Sequence, residues 1–546
     1  MHARSPIQYE TSHPPTYRLG AAAAASTSIS TSSSTEMVSA QMATSTSVDG
    51  KTSATSSSMA PSMLDVLVLT FNCAKNLISP AIFASHLQSA FGQNATGLPD
   101  LVVLSLQEIA PLSQAFIGNY FLSPYFARFD EAVSLAAIRH QDARHGRGTV
   151  SIPPADETGS DRQYTLVRAH NVGYTAIMLF AKDPTRVRDL KEAEVGFGAA
   201  EMGNKGAVGL RALYQVGDGE QSTELTFVAT HLAAMEWNLA RRNANWAAIM
   251  RGLTFENPED VLDKVRRREG TSTPESSEGD GAEERHRLLQ DEHHKQHLEL
   301  RQQLHDISVF RPSSHLFVAG DLNYRISTTS PPPNAAFPSL DPESEHHYPA
   351  FFPLDQLTRE RAAGRTLHGL TEHEVRFPPT YKYVVQPPVS GQTRDAEETE
   401  VPCKFAAHRY PSWTDRILYL DLPTWVGSGR DAPRIDVRAY DAMPVVRTSD
   451  HRPVFLRVKV PMISPVDLAP PASLQGNEGD AATDPRLRLP VEIDPEAWER
   501  RKAARQKEQL VGWSMFLWST KEGAWILATL LLAGLSGYWY YYQTAN

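Results

Sequence analysis

Short apolar runs that each stop at a polar residue recur along this chain. They restrict it to folds in which buried strands deliver their last side chains to an edge. MLDVLVLTFN, DLVVLSLQEI, ELTFVATHL and HLFVAGDLN are examples. Each is rich in Val, Leu and Ile or Phe and has the length of a buried strand. The first two flank SPAIFASHLQSAF, whose apolar spacing predicts a helix, and strand, helix, strand is the rhythm of an α/β domain. GYTAIMLFA, GAVGLRALY, DRILYL and PVFLRVKV add further strands. A mixed-sheet α/β domain over about residues 63–461 accounts for all of them.

Composition narrows the chemistry. With 546 residues, 41% hydrophobic and 9% aromatic, the chain can bury a large core. A formal net charge of -10 gives no general attraction for nucleic acid, so no nucleic-acid partner is expected and any phosphate chemistry must be local. Cys73 and Cys403 are the only cysteines and have no metal-ligand spacing around them, so neither a disulfide framework nor a zinc site is indicated. The main body reads as cytosolic.

The flanks differ from the body. Residues 1–62 are dominated by Ser, Thr and Ala, with too few large apolar side chains to offset ordering entropy, and are expected to be a disordered arm. No continuous apolar stretch marks a secretory signal there, and an organelle-targeting segment is the minor alternative. A charged insertion is expected over about 256–306, as solvated helices around a flexible centre. SGQTRDAEETE is a second polar insertion. Residues 462–510 read as a Pro- and Gly-containing linker followed by a basic segment with Arg500, Arg501, Lys502, Arg505 and Lys507. Ala524–Tyr542, AWILATLLLAGLSGYWYYY, is then uncharged over about 19 residues. That length suits a transmembrane helix with Trp525 and the Tyr cluster near the interfaces, and the preceding basic segment suits a cytosol-facing body. A buried helix of the globular domain is the alternative.

The polar residues at the strand ends form an inventory: Asn72, Glu108, His231, Asp321, Asn323, Asp450 and His451. One such residue is more often a cap or turn former than a catalyst. Together they offer oxygen ligands and acid/base groups suited to one hard divalent cation, and sheet ends are where α/β proteins gather their sites.

Two longer segments make the pattern specific. FVAGDLNYR and RYPSWTDRIL resemble the signature segments of the Mg-dependent inositol polyphosphate 5-phosphatases, within the endonuclease/exonuclease/phosphatase superfamily. TFNCAK, LQEI, EMGNKGAVG, THLAAMEWNLARRN, FPPTYKY and TSDHRPV agree with that family in order. The resemblance implies a four-layer α/β sandwich, two packed mixed sheets flanked by helices, with the site at one rim. With the apolar tail added, the chain is similar to tail-anchored members of the family that act on phosphatidylinositol 4,5-bisphosphate. Two positions depart from the pattern: Val318 stands where the family usually has Trp, and Asn245 where it has Asp.

Roles follow from the resemblance and from what phosphate monoester hydrolysis demands. Asn72 and Glu108 would hold Mg2+, with Asp450 completing the metal or water shell. Asp321 would orient or deprotonate the attacking water, and Asn323 would donate to a phosphoryl oxygen. Residues i and i+2 at a strand end project to the same side, which would bring these two together. His451 would hydrogen-bond the scissile phosphate with Asp415 orienting its ring, and His231 is a second phosphate contact or else a histidine satisfied inside the fold. Lys205, Tyr381 and Lys382 would bind a further phosphate. Arg416 would clamp the scissile phosphate or pair with an acidic neighbour, the former being preferred; Arg409 is a further cation without a clear role. The expected activity is removal of the 5-phosphate from phosphatidylinositol 4,5-bisphosphate at a cytosol-facing membrane, the endoplasmic reticulum in the first instance. The alternatives are a soluble inositol polyphosphate 5-phosphatase activity and a non-catalytic phosphoinositide-binding tether.

Overall fold

The computed structural model describes residues 62–145, 162–217, 219, 221–269, 282–387, 401–427, 429, 432–474 and 484–545. The Ser/Thr-rich arm up to residue 61, the centre of the charged insertion (270–281) and the second polar insertion (within 388–400) lie outside the described residues. The strands in chain order are β1 (Met63–Asn72), β2 (Leu101–Gln107), β3 (Thr165–Val172), β4 (Thr175–Ala181), β5 (Val187–Gly196), β6 (Gly206–Val216) and β7 (Gln221–His231). They continue with β8 (His315–Asp321), β9 (Leu370–Thr371), β10 (Tyr383–Val385), β11 (Cys403–Phe405), β12 (Asp415–Leu420), β13 (Asp436–Ala442) and β14 (Val454–Pro461). The helices are α1 (Pro80–Gly92), α2 (Leu112–Ile117), α3 (Ser123–His145), α4 (Leu239–Gly252), α5 (Pro258–Glu269), α6 (Ala282–Ile307) and α7 (Gln356–Ala362). Past the sheets come α8 (Pro465–Leu468), α9 (Ala497–Ser519) and α10 (Lys521–Ala545).

Two six-stranded sheets, ordered β13-β14-β1-β2-β4-β3 and β5-β6-β7-β8-β12-β9, stack face to face. Strand alternation builds three apolar layers from them. Leu64, Val66 and Val68 of β1 meet Phe227 of β7, Phe317 of β8 and Ile417 of β12 between the sheets. Leu67, Leu69 and Phe71 point the other way, under Phe83 and Leu87 of α1 and Phe129 and Val133 of α3. Outside the second sheet, Leu316 and Val318 of β8 pack with Trp246, Ile249 and Met250 of α4. The expected four-layer α/β sandwich is the fold observed. Each fully buried Leu, Val, Ile or Phe side chain contributes about 1.5–3 kcal/mol, so these layers dominate the stability. Val318, where a Trp was the expected type, sits wholly inside the outer layer.

The centre of each sheet holds one parallel pair, β1 with β2 and β7 with β8. Both pairs end in the same place, because Asn72 is opposite Gln107 and His231 opposite Asp321. β12 runs antiparallel to β8 and opens with Asp415 opposite Asp321. Gly320 is required where β7 and β8 approach, since a Cβ there would lie 2.0 Å from the Thr230 carbonyl oxygen.

Residues 462–510 are not a free linker in the described parts. Arg486 is buried and donates to the carbonyls of Leu420 and Asp421, while Leu489 and Val491 pack on the outer layer. Asp494 donates its N–H to the Arg251 carbonyl and Trp498 donates Nε1 to Thr254 Oγ1 at 2.9 Å. The expectation of a linker fails because Pro, Gly and Asp content reports turns, and turns can be strapped to a surface as readily as freed from it. The basic segment is committed too: Arg500 pairs with Asp494, and Arg501 and Arg505 pair with Glu508. Both cysteines are free thiols.

Candidate active site

The parallel strand ends and the loops after them converge on one rim. Asp321, at the end of β8, is buried, and its carboxylate accepts from Asn72 Nδ2 at 3.1 Å and from the Asn323 N–H at 3.1 Å. His231 Nε2 lies 3.3 Å from Asp321 Oδ2 and also against the Lys205 ammonium. Nε2 therefore faces an acceptor on one side and a donor on the other, and a neutral ring serves only one at a time. Its Nδ1 is buried without a partner. Burial alone would raise the Asp321 carboxyl, but His231, His451 and Lys205 hold it far below its ordinary value. Burial lowers the Lys205 ammonium to about 8, against the pull of Asp321 and Glu108, and burial together with Lys205 lowers His231.

A second buried pair stands beside the first. His451 Nδ1 lies 2.9 Å from Asp415 Oδ2, which also accepts from Thr380 Oγ1 at 2.7 Å and Thr414 Oγ1 at 2.8 Å. Burial opposes the charge on His451, and the Asp415, Asp321 and Asp450 carboxylates outweigh it and raise the imidazole to about 9. The ring of Tyr381 covers His451, centroids 4.5 Å apart, and the Arg325 guanidinium lies over the Tyr381 ring, 4.3 Å from its centroid. Ser449 Oγ bonds the Asn72 carbonyl at 2.6 Å, tying the loop before His451 to the end of β1.

Glu108 and Asn323 reach the rim through left-handed backbone, φ 45° and 57°. For Asn323 this replaces the expected strand geometry: β8 ends at Asp321, so the i and i+2 alternation does not extend to it. Its Nδ2 donates to the Leu232 carbonyl at 3.1 Å and its Oδ1 accepts from Arg325. Asn245 plays a supporting part, accepting the Ala233 N–H at 3.0 Å and so fixing the loop that follows His231.

The oxygen donors suit a hard divalent cation. Glu108 is about a quarter exposed and is balanced by Lys75 at 3.0 Å; burial would raise its carboxyl, but His231, Lys205 and Lys75 keep it lowered and anionic. Asp321, Asp415 and His451 also have ligand atoms within 4.8 Å of one another. That trio is already joined by the His451–Asp415 hydrogen bond, and Glu108 beside Asn72 could offer a second set of oxygen donors. The Asn72 amide oxygen accepts the Ala74 N–H at 3.0 Å, which leaves its second lone pair for a cation. Asp450 is paired with Lys382 at 3.0 Å, so these two expected site residues face each other.

Arg416 is the clear correction. It is fully buried on the side of β12 away from Asp415, pairing with Glu372 at 2.6 Å and Asp355 at 3.0 Å. Strand alternation sends adjacent residues to opposite faces, so a phosphate clamp there is excluded. Arg409 pairs with Glu236. Sequence reasoning missed Lys75, Thr380 and Thr414; Lys75 lies inside TFNCAK and Thr380 just before the TYKY tyrosine, so motif proximity was the available signal.

Two packed sheets thus bring buried carboxylates, histidines and a lysine to one rim of an α/β sandwich. The chain belongs to the Endonuclease/Exonuclease/phosphatase family 2, whose model matches residues 69–457. It is 28% identical over 400 residues to a probable inositol polyphosphate 5-phosphatase of Schizosaccharomyces pombe, covering 72% of this chain and 28% of that protein. It is 27% identical over 362 residues to polyphosphatidylinositol phosphatase INP53 of Saccharomyces cerevisiae, covering 65% of this chain and 23% of that protein. The chain thus spans about a quarter of the length of these curated relatives. Among solved structures, the inositol polyphosphate 5-phosphatase domain of a synaptojanin, in complex with inositol (1,4)-bisphosphate and a calcium ion, matches with a TM-score of 0.43 and 21% identity. That match covers 73% of this chain and 84% of the synaptojanin domain.

Proposed function

We propose that this chain is a Mg2+-dependent phosphoinositide 5-phosphatase that hydrolyses the 5-phosphate of phosphatidylinositol 4,5-bisphosphate at a cytosol-facing membrane. The observation that carries the reading is the convergence of two buried carboxylate–histidine pairs, Asp321 with His231 and Asp415 with His451, on one rim. The names of the relatives as 5-phosphatases supply the substrate class.

Mg2+, when bound by Glu108 and Asn72, would supply Lewis-acid neutralisation of phosphoryl oxygen charge. Asp321, kept ionised by its lowered pKa, orients the attacking water by accepting its hydrogen bond, and the proton that the water gives up ends on the departing inositol oxygen as the P–O bond breaks. His451, held by Asp415, donates Nε2–H to the scissile phosphate, and Asn323 keeps one amide hydrogen for a phosphoryl oxygen while its backbone N–H fixes Asp321. His231 and Lys205 add donors where charge develops. Tyr381 and Lys382 meet the second ring phosphate, with Lys382 exchanging Asp450 for substrate and freeing Asp450 for the metal or water shell.

α10 is almost wholly exposed and long and apolar enough to cross a bilayer. As an anchor, in the endoplasmic reticulum in this reading, it would raise the concentration of enzyme near a lipid substrate. The test is Mg2+-dependent phosphate release from the lipid and from free inositol trisphosphate, with Asp321→Ala and His451→Ala as controls. Release from the lipid, lost in both variants, is expected. Lipid binding without release would establish the tether reading instead, and better turnover of the free head group would make the soluble substrate the preferred one. Removal of residues 524–546 should shift the protein to the soluble fraction.

A further inference from the structure

The loop that carries Lys205 is held from outside the two sheets by the helix that leads into the apolar tail. Phe197 donates its N–H to the Lys205 carbonyl and Gly198 to that of Met202, closing Phe197–Lys205 into a compact turn. Little else can fit around it: a Cβ on Gly203 would lie 2.7 Å from the Gly173 nitrogen, and one on Gly173 would lie 1.9 Å from the Gly203 carbonyl oxygen. The outward N–H of Gly203 points to α9, where Glu508 Oε1 accepts it at 2.7 Å.

Glu508 is fully buried and its carboxylate is itself fixed. Arg501 donates to both of its oxygens, with Nη2 at 2.9 Å from Oε2, and Arg505 approaches Oε2 at 3.3 Å. Arg501 also reaches Glu194 of β5 at 2.8 Å, two residues before the point where β5 leads into the loop. The helix is seated sterically as well. Gly512 packs on α2 so closely that a Cβ would lie 2.9 Å from Phe116 Cβ and 3.1 Å from the Ser113 carbonyl oxygen.

A carboxylate buried between two sheetless elements, hydrogen-bonded to a glycine N–H two residues from a site lysine, is more than helix docking requires. Apolar contacts and Gly512 would dock the helix alone, without the desolvation cost of a buried charge. We infer that Glu508 is a positioning residue: through the Gly203 N–H it sets the Lys205 ammonium against His231 and Asp321, so that the helix next to the apolar tail is part of the active-site support. Its kinetic consequence rests on the phosphatase reading above; the structural link does not.

The experiment uses the full chain in detergent micelles with Glu508→Ala, Glu508→Gln, Lys205→Ala, the Glu508→Ala/Lys205→Ala pair and Gly512→Val. Amide hydrogen exchange over residues 198–206 should speed up in Glu508→Ala and Gly512→Val while β7 and β8 keep their protection. Glu508→Gln, which retains an oxygen acceptor, should restore slow exchange. In phosphate release from phosphatidylinositol 4,5-bisphosphate, Glu508→Ala should lower kcat/KM by about 10- to 100-fold. The double variant should be no worse than Lys205→Ala alone. Unchanged exchange over 198–206, or multiplicative losses in the double variant, would overturn the positioning role. A wild-type chain with no activity on the lipid counts against the phosphatase reading only, and the exchange measurement then decides the link.

Discussion

Asp321 and Asp415 occupy directly paired positions on β8 and β12, and each carboxylate is taken by a different histidine, Asp321 by His231 and Asp415 by His451. Two adjacent buried carboxylates repel unless cations separate them, and here the cations are the His451 imidazolium beside Asp415 and the Lys205 ammonium, which lies against His231. Asp415→Asn keeps the volume of the side chain and an acceptor for Thr380 but removes the charge that sustains His451 as an imidazolium. The expected result is a fall in kcat of about 100-fold or more with little change in KM. Steady-state phosphate release measures it, and an equal rise in KM with kcat intact would assign Asp415 to binding instead.

Glu108→Gln should weaken cation binding without unfolding the rim, because the Lys75 partner is half exposed and can return to water. The variant is expected to need about 10- to 100-fold more Mg2+ for half-maximal phosphate release, since losing a carboxylate ligand costs more than losing its hydrogen-bond support. Chelation of the wild type should abolish release and added Mg2+ restore it. A Mg2+ titration that superimposes on the wild type would place the metal elsewhere.

Arg416 is a stability residue. Replacing it by Met leaves Asp355 as a buried carboxylate without its cation and Glu372 with only Arg361 at 3.4 Å, and Tyr440, whose hydroxyl bonds Glu372 at 2.8 Å, cannot neutralise either. The expected loss is about 3–5 kcal/mol in urea unfolding, with KM of the folded fraction unchanged. An unfolding curve like that of the wild type combined with a raised KM would return Arg416 to the phosphate.

Glu194 links the second sheet to α9. Burial would raise its carboxyl, but hydrogen bonds from His170 and the charge of Arg501 lower it to about 2 from an ordinary 4.5. Because the folded-state value is depressed, the stabilisation is complete above about pH 5 and is lost as pH falls from 4.5 towards 2. The shift corresponds to at most about 3 kcal/mol. Glu194→Gln should therefore lie below the wild type in stability at pH 7, with the gap narrowing as pH falls below 4.5 and closing only below about pH 2, as followed by denaturant midpoints; parallel curves would remove Glu194 from the linkage.

The sandwich was legible because its inner strands are nearly continuous apolar runs, and every run singled out from the sequence is a strand of one of the two sheets. The strands that escaped notice are β3, β13, β5 and β9, the outer strands of the two sheets, together with the small β10–β11 hairpin. An edge strand is wetted on one side, so VRDLKEAEVG or TLVRAHNV carries charges that mask the period of two. At the rim, the polar strand ends identified most of the residues that meet. Arg416 escaped because adjacency to Asp415 in WTDR says nothing about which face of β12 a side chain takes, and acidic partners as distant as Asp355 and Glu372 carry no local mark. Glu508 lies in a run of Arg, Lys and Gln on a helix that reads as solvated, and only the fold reveals the glycine N–H facing it.

Between α9 and α10 the chain breaks only at Thr520, whose hydroxyl accepts the Gly523 N–H at 3.0 Å to start the second helix. A flexible leash of about thirty residues would let a domain wander on the order of 30 Å from its root. Here there is no leash. With α10 in a bilayer, the height and tilt of the rim relative to the lipids would be dictated by a single bend. Substrate would then be found by two-dimensional drift of protein and lipid together, and lengthening the bend at Thr520 with a flexible insert would change which lipids the site can meet before it changed how it cleaves them.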